Sequence, residues 1–218
     1  MKTILGFNFS NKTALIRVDF NVPLDASLQV ADNTRILSAK PTILKVLNDG
    51  GSCVLMSHLG RPKGNQANLS LSHIVSEIEK ILDKKVTFAP DCIGAETESI
   101  VNNIKPGDII LLENLRFYSE ETEGDVAFAE KLSKLGQVYV NDAFGSAHRN
   151  HSSTSVITKF FNNKKYLGLL LHKEVLAIEK VLTTGKKPVI AVLGGAKVSS
   201  KITIINNILG KVDEIILG

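Results

Sequence analysis

The chain has 218 residues, 44% hydrophobic and 22% charged, with 26 Lys plus Arg against 22 Asp plus Glu. That length buries enough surface to fold without disulfide or metal staples, and a mean hydropathy of +0.10 excludes a disordered chain. A formal charge of +4, no long basic run and 6% aromatics without Trp exclude a nucleic-acid surface of bases interleaved with stacking rings.

Strands are predicted at 13–20, 51–57, 85–89, 108–113, 137–142, 188–194 and 213–218, and helices near 34–48, 70–82, 94–103, 124–135, 168–183 and 198–210. Near-continuous apolar strands, each followed by a helical period, point to a doubly wound, Rossmann-like α/β fold. Such a fold has three αβα layers and a mainly parallel sheet. The polar, turn-rich stretch near 162–168 predicts a boundary. The expected division is 1–167 as one domain, 168–183 as a connecting helix and 184–218 as the start of a second. A lone βαβ unit leaves a sheet edge and apolar faces uncovered, so the second domain is read as truncated.

Cys53 and Cys92 form no disulfide framework and no ligand spacing; Cys53, in an apolar run, reads as a core thiol. The N-terminal stretch is too polar for a signal peptide, and no apolar run is long enough to span a bilayer. These features predict a cytoplasmic protein with no membrane or nucleic-acid partner.

Ligands of open α/β sheets bind beyond the carboxyl ends of the strands. There the sequence places Asp19, Phe20 and Asn21; His58, Leu59, Gly60 and Arg61; Glu113 and Arg116; and Asp142, His148, Arg149 and His151. Arg35 joins them if the helix start at 32–34 lies on the same side. Of the 26 bases, 21 are Lys and only five are Arg, so arginines concentrated in these loops suggest an anion site. The alternative for each is a structural ion pair, with Asp19, Glu113 or Asp142 as partner. The histidines fit no tight metal spacing, so no protein-held metal is expected; donation to a phosphate suits them better. Arg17, inside strand 13–20, is assigned only to the surrounding basic patch.

Gly194-Gly195-Ala196-Lys197, followed by Lys201, lies between a predicted strand and a helix. Glycines there let backbone amides approach a phosphate, although the pattern is neither a P-loop nor GxGxxG. A tight turn carrying two solvated lysines is the other reading.

Together, RVDFNVP (17–23), DNTRI (32–36), SHLGRPKG (57–64), LLENLRF (111–117), NDAFGSAHRNHSS (141–153) and GGAKVSSKI (194–202) resemble the phosphoglycerate kinase family, in the family's order. The resemblance implies reversible phosphoryl transfer from 1,3-bisphosphoglycerate to ADP, giving 3-phosphoglycerate and ATP in glycolysis. It makes Asp19, Phe20, Asn21, Arg35, His58, Leu59, Gly60, Arg61, Arg116 and Arg149 ligands of the triose acid. Arg35 and Lys197 would be catalytic; Gly194, Gly195, Lys197 and Lys201 would bind nucleotide, with Mg2+ held through its phosphates. The resemblance places the triose acid on 1–167, a hinge at 168–183 and nucleotide on 184–218. It departs at Ser200, where the family often carries Asp. A monomer suffices, and the chain by itself is expected to bind the triose acid but to be catalytically incomplete. The alternative from another class is a non-catalytic phosphate- or carboxylate-binding α/β module.

Overall fold

In the computed structural model, which describes residues 2–184, 186–194 and 202–218, β1 (Thr13–Arg17), α1 (Thr34–Asn48) and β2 (Ser52–Met56) open the fold. The alternation continues through α2 (Val75–Leu82), β3 (Thr87–Phe88), α3 (Ala95–Asn102) and β4 (Ile109–Leu111). Helices α4 (Ser119–Glu123) and α5 (Val126–Ser133) precede β5 (Val138–Asn141), and α6 (Phe144–Ala147) and β6 (Lys165–Leu167) follow it. The order closes with α7 (Leu169–Thr184), β7 (Ile190–Leu193), α8 (Ile202–Ile208) and β8 (Glu214–Leu217). The chain forms two compact units, Met1–His172 and Lys173–Gly218.

The first unit is built on a six-stranded sheet in the order β3-β4-β2-β1-β5-β6, every pair parallel. Alternation along each strand divides the core in two. Ala14, Ile16, Cys53, Leu55, Ile109, Leu111, Val138 and Val140 face one layer, where α1 contributes Ile36, Ala39, Ile43 and Val46 and α2 contributes Ile78, Ile81 and Leu82. Leu15, Val54, Met56, Ile110 and Tyr139 face the other, against Val101 of α3 and Phe128, Ala129 and Leu132 of α5. With both faces covered, the strands can be apolar throughout, which explains the runs in the sequence. The α/β class and the parallel sheet are as predicted. Cys53 is fully buried, and burial pushes its thiol up.

Central strand β1 pairs with β2 and with β5, Ala14 opposite Val138, and Thr3 bridges to Leu167. In the second unit β7 and β8 are parallel, Ile190 opposite Glu214, and Val192 (72%) and Leu217 (65%) are exposed.

Three differences from the predicted elements have local causes. Strand 13–20 stops at Arg17 because the backbone then turns to loop partners: Phe20 N donates to the Ser57 hydroxyl at 2.9 Å. The polar stretch near 162–168 contains β6, an edge strand whose exposed Lys165 and half-buried Tyr166 and Leu167 do not require an apolar run. The predicted helix at 198–210 is described only from Ile202, as α8.

At the base of α7, the buried Asp142 carboxylate accepts the Leu171 amide on Oδ1 at 3.1 Å, whereas Oδ2 accepts no full hydrogen bond from the described residues. Gly168 is pressed against it: a Cβ there would lie 2.1 Å from Oδ1. Gly168→Ala is expected to cost about 2–3 kcal/mol, read as a lowered urea midpoint with unchanged slope. Burial pushes the Asp142 carboxyl up to about 6, against the pull of the Thr42 hydroxyl and the Leu171 and Leu170 amides. The folded state therefore holds this proton more tightly than the unfolded chain does. The resulting stabilisation is complete below about pH 4 and is lost as the pH rises through about 6. Asp142→Asn removes that loss. Between pH 4 and 7 the variant should gain up to about 3 kcal/mol relative to the parent, read from paired denaturation series.

Candidate functional site

The chain leaves β1 toward one sheet edge through β2 and returns to the other side through β5, so a crevice opens beyond the carboxyl ends of these strands. A cavity of about 260 Å³ lies there. Asp19 and Asn21 line it from beyond β1, Arg35 from the first turn of α1, and His58, Gly60 and Arg61 from beyond β2. Arg116 enters from beyond β4, and Gly145, Ser146 and Arg149 from beyond β5.

Eight of the ten residues named for the triose acid line this cavity. Phe20 and Leu59 do not: both are buried, with the Phe20 amide bonded to Ser57 and the Leu59 amide bonded to Asn114. Gly145 and Ser146 are additional lining residues. The sequence signal for Gly145 is its smallness, since a Cβ there would come within 3.2 Å of Asp19 Oδ2. Gly194 directly follows β7 in the second unit. Gly195, Lys197, Ser200 and Lys201 lie outside the described residues.

The three carboxylates that could neutralise the arginines are used in different ways. Asp19 pairs with Arg35. Glu113 accepts from Ser70 Oγ at 2.6 Å and the Leu71 amide at 2.8 Å, holding the turn before α2. Asp142 sits under α7. Among the described residues, Arg61, Arg116 and Arg149 form no ion pair with any carboxylate. Three unneutralised guanidiniums on one small cavity form an electrostatic funnel for an anion.

The loops are fastened by polar groups. Asn114 is fully buried and uses its amide completely. Nδ2 donates to the Leu59 and Leu69 carbonyls, each at 2.8 Å, and Oδ1 accepts the amides of Leu59 at 3.2 Å and Arg116 at 3.1 Å. Gly60, at φ +63°, donates to Asn21 Oδ1 at 2.8 Å and receives Arg116 Nη1 on its carbonyl at 2.8 Å. A Cβ there would meet Leu69 at 2.9 Å. Left-handed backbone and close approach together explain the glycine.

A profile of the phosphoglycerate kinase family matches residues 4–218. The chain belongs to the phosphoglycerate kinase family. It is 45% identical to the phosphoglycerate kinase of Aquifex aeolicus over 217 residues, covering 100% of this chain and 54% of that protein. It is 47% identical to that of Moorella thermoacetica, covering 99% and 54%. The solved phosphoglycerate kinase of Coxiella burnetii superposes with a TM-score of 0.85 at 34% identity, covering 99% of this chain and 54% of that one. That of Pyrococcus horikoshii gives 0.86 at 30% identity, covering 100% and 55%. The chain thus spans about half the length of the phosphoglycerate kinases it matches.

Beneath the cavity of this family member lies a buried polar layer that the sequence reading did not assemble. Arg17, placed there only in the basic patch, is fully buried. Its partners are Ser153, the Val18 carbonyl and His58. Glu121, also fully buried, receives Ser153, with His151 Nδ1 3.8 Å away. Burial, then the charges of Arg17 and Arg116, pulls His58 down to about 2; burial, Arg116 and Arg149 pull His151 down to about 4. Burial lowers Arg116 too, with Arg149 and Arg17 adding to the effect. Of the three histidines in the candidate loops, only His58 lines the cavity; His148 is exposed and His151 faces Glu121.

The donor set does not suit a divalent cation held by protein. The cavity's one carboxylate, Asp19, is already paired with Arg35, and its other charges are guanidiniums. Among the described residues no three His, Cys, Asp or Glu side chains converge. None of the described helices is long and apolar enough to cross a membrane. A cavity of about 340 Å³ along β5 and β6 presents mostly apolar surface, from residues such as Tyr139, Tyr166 and Leu167, and lacks the arginine cluster.

Proposed function

We propose that the arginine cavity binds 3-phosphoglycerate and 1,3-bisphosphoglycerate, and that the chain carries the triose-acid half of the phosphoglycerate kinase reaction. The observation behind this reading is the trio Arg61, Arg116 and Arg149, which line one cavity without a carboxylate partner among the described residues. A phosphate offers several acceptor oxygens to such a trio, and each guanidinium can donate to two of them. Arg35, tempered by Asp19, then attends the reacting carboxylate end. That carboxylate is ionised far below pH 7, so the ATP-consuming direction requires no general base. Positioning and charge stabilisation remain, the work assigned to Arg35 and to Lys197.

The reading assigns 1–167 to the triose acid, 168–183 to a hinge and 184–218 to nucleotide, with Gly194, Gly195, Lys197 and Lys201 at its phosphates. The phosphates of ATP or ADP would hold Mg2+. The chain works as a cytoplasmic monomer. Because it spans about half the length of its relatives, it is proposed to bind the triose acid but not to complete turnover alone. Calorimetry with 3-phosphoglycerate tests the binding: heat saturating in the millimolar range or below is expected, and none at several millimolar overturns the reading. A coupled assay with 1,3-bisphosphoglycerate and ADP tests the incompleteness; turnover at an ordinary enzymic rate would refute it.

A further inference from the structure

A guanidinium has five N–H donors and no acceptor. Arg17 Nη2 lies 3.1 Å from His58 Nδ1, so that ring nitrogen is the acceptor. A neutral imidazole accepting on Nδ1 carries its proton on Nε2. His58 lines the cavity while its Nδ1 is turned to Arg17.

Arg17 is itself held in place. Its Nε donates to Ser153 Oγ at 2.9 Å, and its Nη1 donates to the Val18 carbonyl. Ser153 Oγ donates to Glu121 Oε1 at 2.6 Å, and the Ser153 amide donates to Oε2 at 2.9 Å. Both carboxylate oxygens therefore accept, and the polar chain runs from Glu121 through Ser153 and Arg17 to His58, buried throughout.

We propose that Arg17, braced by Ser153 and Glu121, is a positioning residue that holds His58 in its Nε2–H form, giving the cavity a neutral hydrogen-bond donor beside its guanidiniums. For the identity of the anion this rests on the triose-acid reading; the ring form itself does not. A neutral donor grips an oxygen without adding to the mutual repulsion of four arginines. With Nδ1 occupied and Nε2 protonated, the ring also offers no base to activate water against an acyl phosphate. The surroundings act in the same direction, since burial and the charges of Arg17, Arg116, His151 and Arg35 all oppose the imidazolium.

The test uses the chain with 15N-labelled histidine, free of ligand near pH 7, in a long-range 1H–15N correlation. His58 is expected to show an unprotonated Nδ1 and a protonated Nε2. A protonated Nδ1, in a neutral or cationic ring, overturns the proposal without any variant. In Arg17→Met, the ring should populate both neutral forms and titrate closer to its ordinary value of about 6.5; an unchanged pattern overturns Arg17's role. Should that variant not fold, Ser153→Ala loosens Arg17 without removing it. Both nitrogen resonances should then move toward each other, and identical spectra overturn the bracing. Added 3-phosphoglycerate should shift the Nε2–H resonance, with affinity falling roughly tenfold in Arg17→Met. The Nε2–H form without any response to 3-phosphoglycerate would uphold the relay and overturn the triose-acid reading alone.

Discussion

Asn114→Leu is expected to lower the unfolding free energy by about 4 kcal/mol, a large part of the 5–15 kcal/mol typical of a domain. The substitution keeps the number and branching of side-chain heavy atoms and removes four hydrogen bonds, leaving the Leu59 amide and carbonyl, the Leu69 carbonyl and the Arg116 amide without this partner. Each buried group left alone costs about 1–3 kcal/mol, reduced where relaxation admits water. Asn114→Asp should be comparably harmful. It places an acceptor against two carbonyls and buries a charge, whereas a purely steric role would tolerate the near-isosteric change. Urea denaturation followed by circular dichroism measures both, and a loss below about 1 kcal/mol in both would refute the role. The same residue joins the Leu59–Arg61 loop to Arg116, so any folded fraction should also bind 3-phosphoglycerate more weakly.

Arg116→Ala is expected to weaken 3-phosphoglycerate binding about 100-fold, with Arg116→Lys recovering only part of that. Arg116 lines the 260 Å³ cavity and a neighbouring one of about 480 Å³, in both cases with Arg61 and Arg149. Its Nη1 is anchored on the Gly60 carbonyl at 2.8 Å, which presets the fork before ligand arrives. Partial burial in the company of other arginines makes its cation costly when the cavity holds no anion. Charge-assisted bonds at about 1.5–3 kcal/mol each, and tenfold per 1.4 kcal/mol, give the magnitude. Lysine restores the charge but not the planar fork. Calorimetric affinities of the three proteins decide the matter; equal affinities would remove Arg116 from the site.

What could be read in advance follows from how local each signal is. Helix α1 is predicted and observed over the same residues because its apolar period, from Ile36 to Leu47, lies within one element. The four cavity arginines were legible because arginine is scarce against a lysine background and each falls just past a strand or at a helix start. Arg17 was not, since its burial depends on Ser153, 136 residues away, and through it on Glu121. Nothing local in LLENLRF (111–117) marks Asn114; only the fold brings Leu59 and Leu69 to its amide. Glu113 and Asp142 looked like ion-pair partners and instead hold backbone amides, a use that composition cannot distinguish from pairing.

The pairing of β1 with β5 also bears on how the chain is made. Ala14 meets Val138, and Thr3 meets Leu167, so β1, once made, lacks one neighbour until the residues through β5 have followed it. At roughly 5–20 residues per second, that interval is about 6–25 s. During it Leu15 and Ile16, fully buried in the folded unit, have only β2 beside them. Such distant parallel pairing puts folding on the slow side for its size, because loop closure must precede the contacts that reward it. The strand that positions the arginine cavity is therefore synthesised early and completed late.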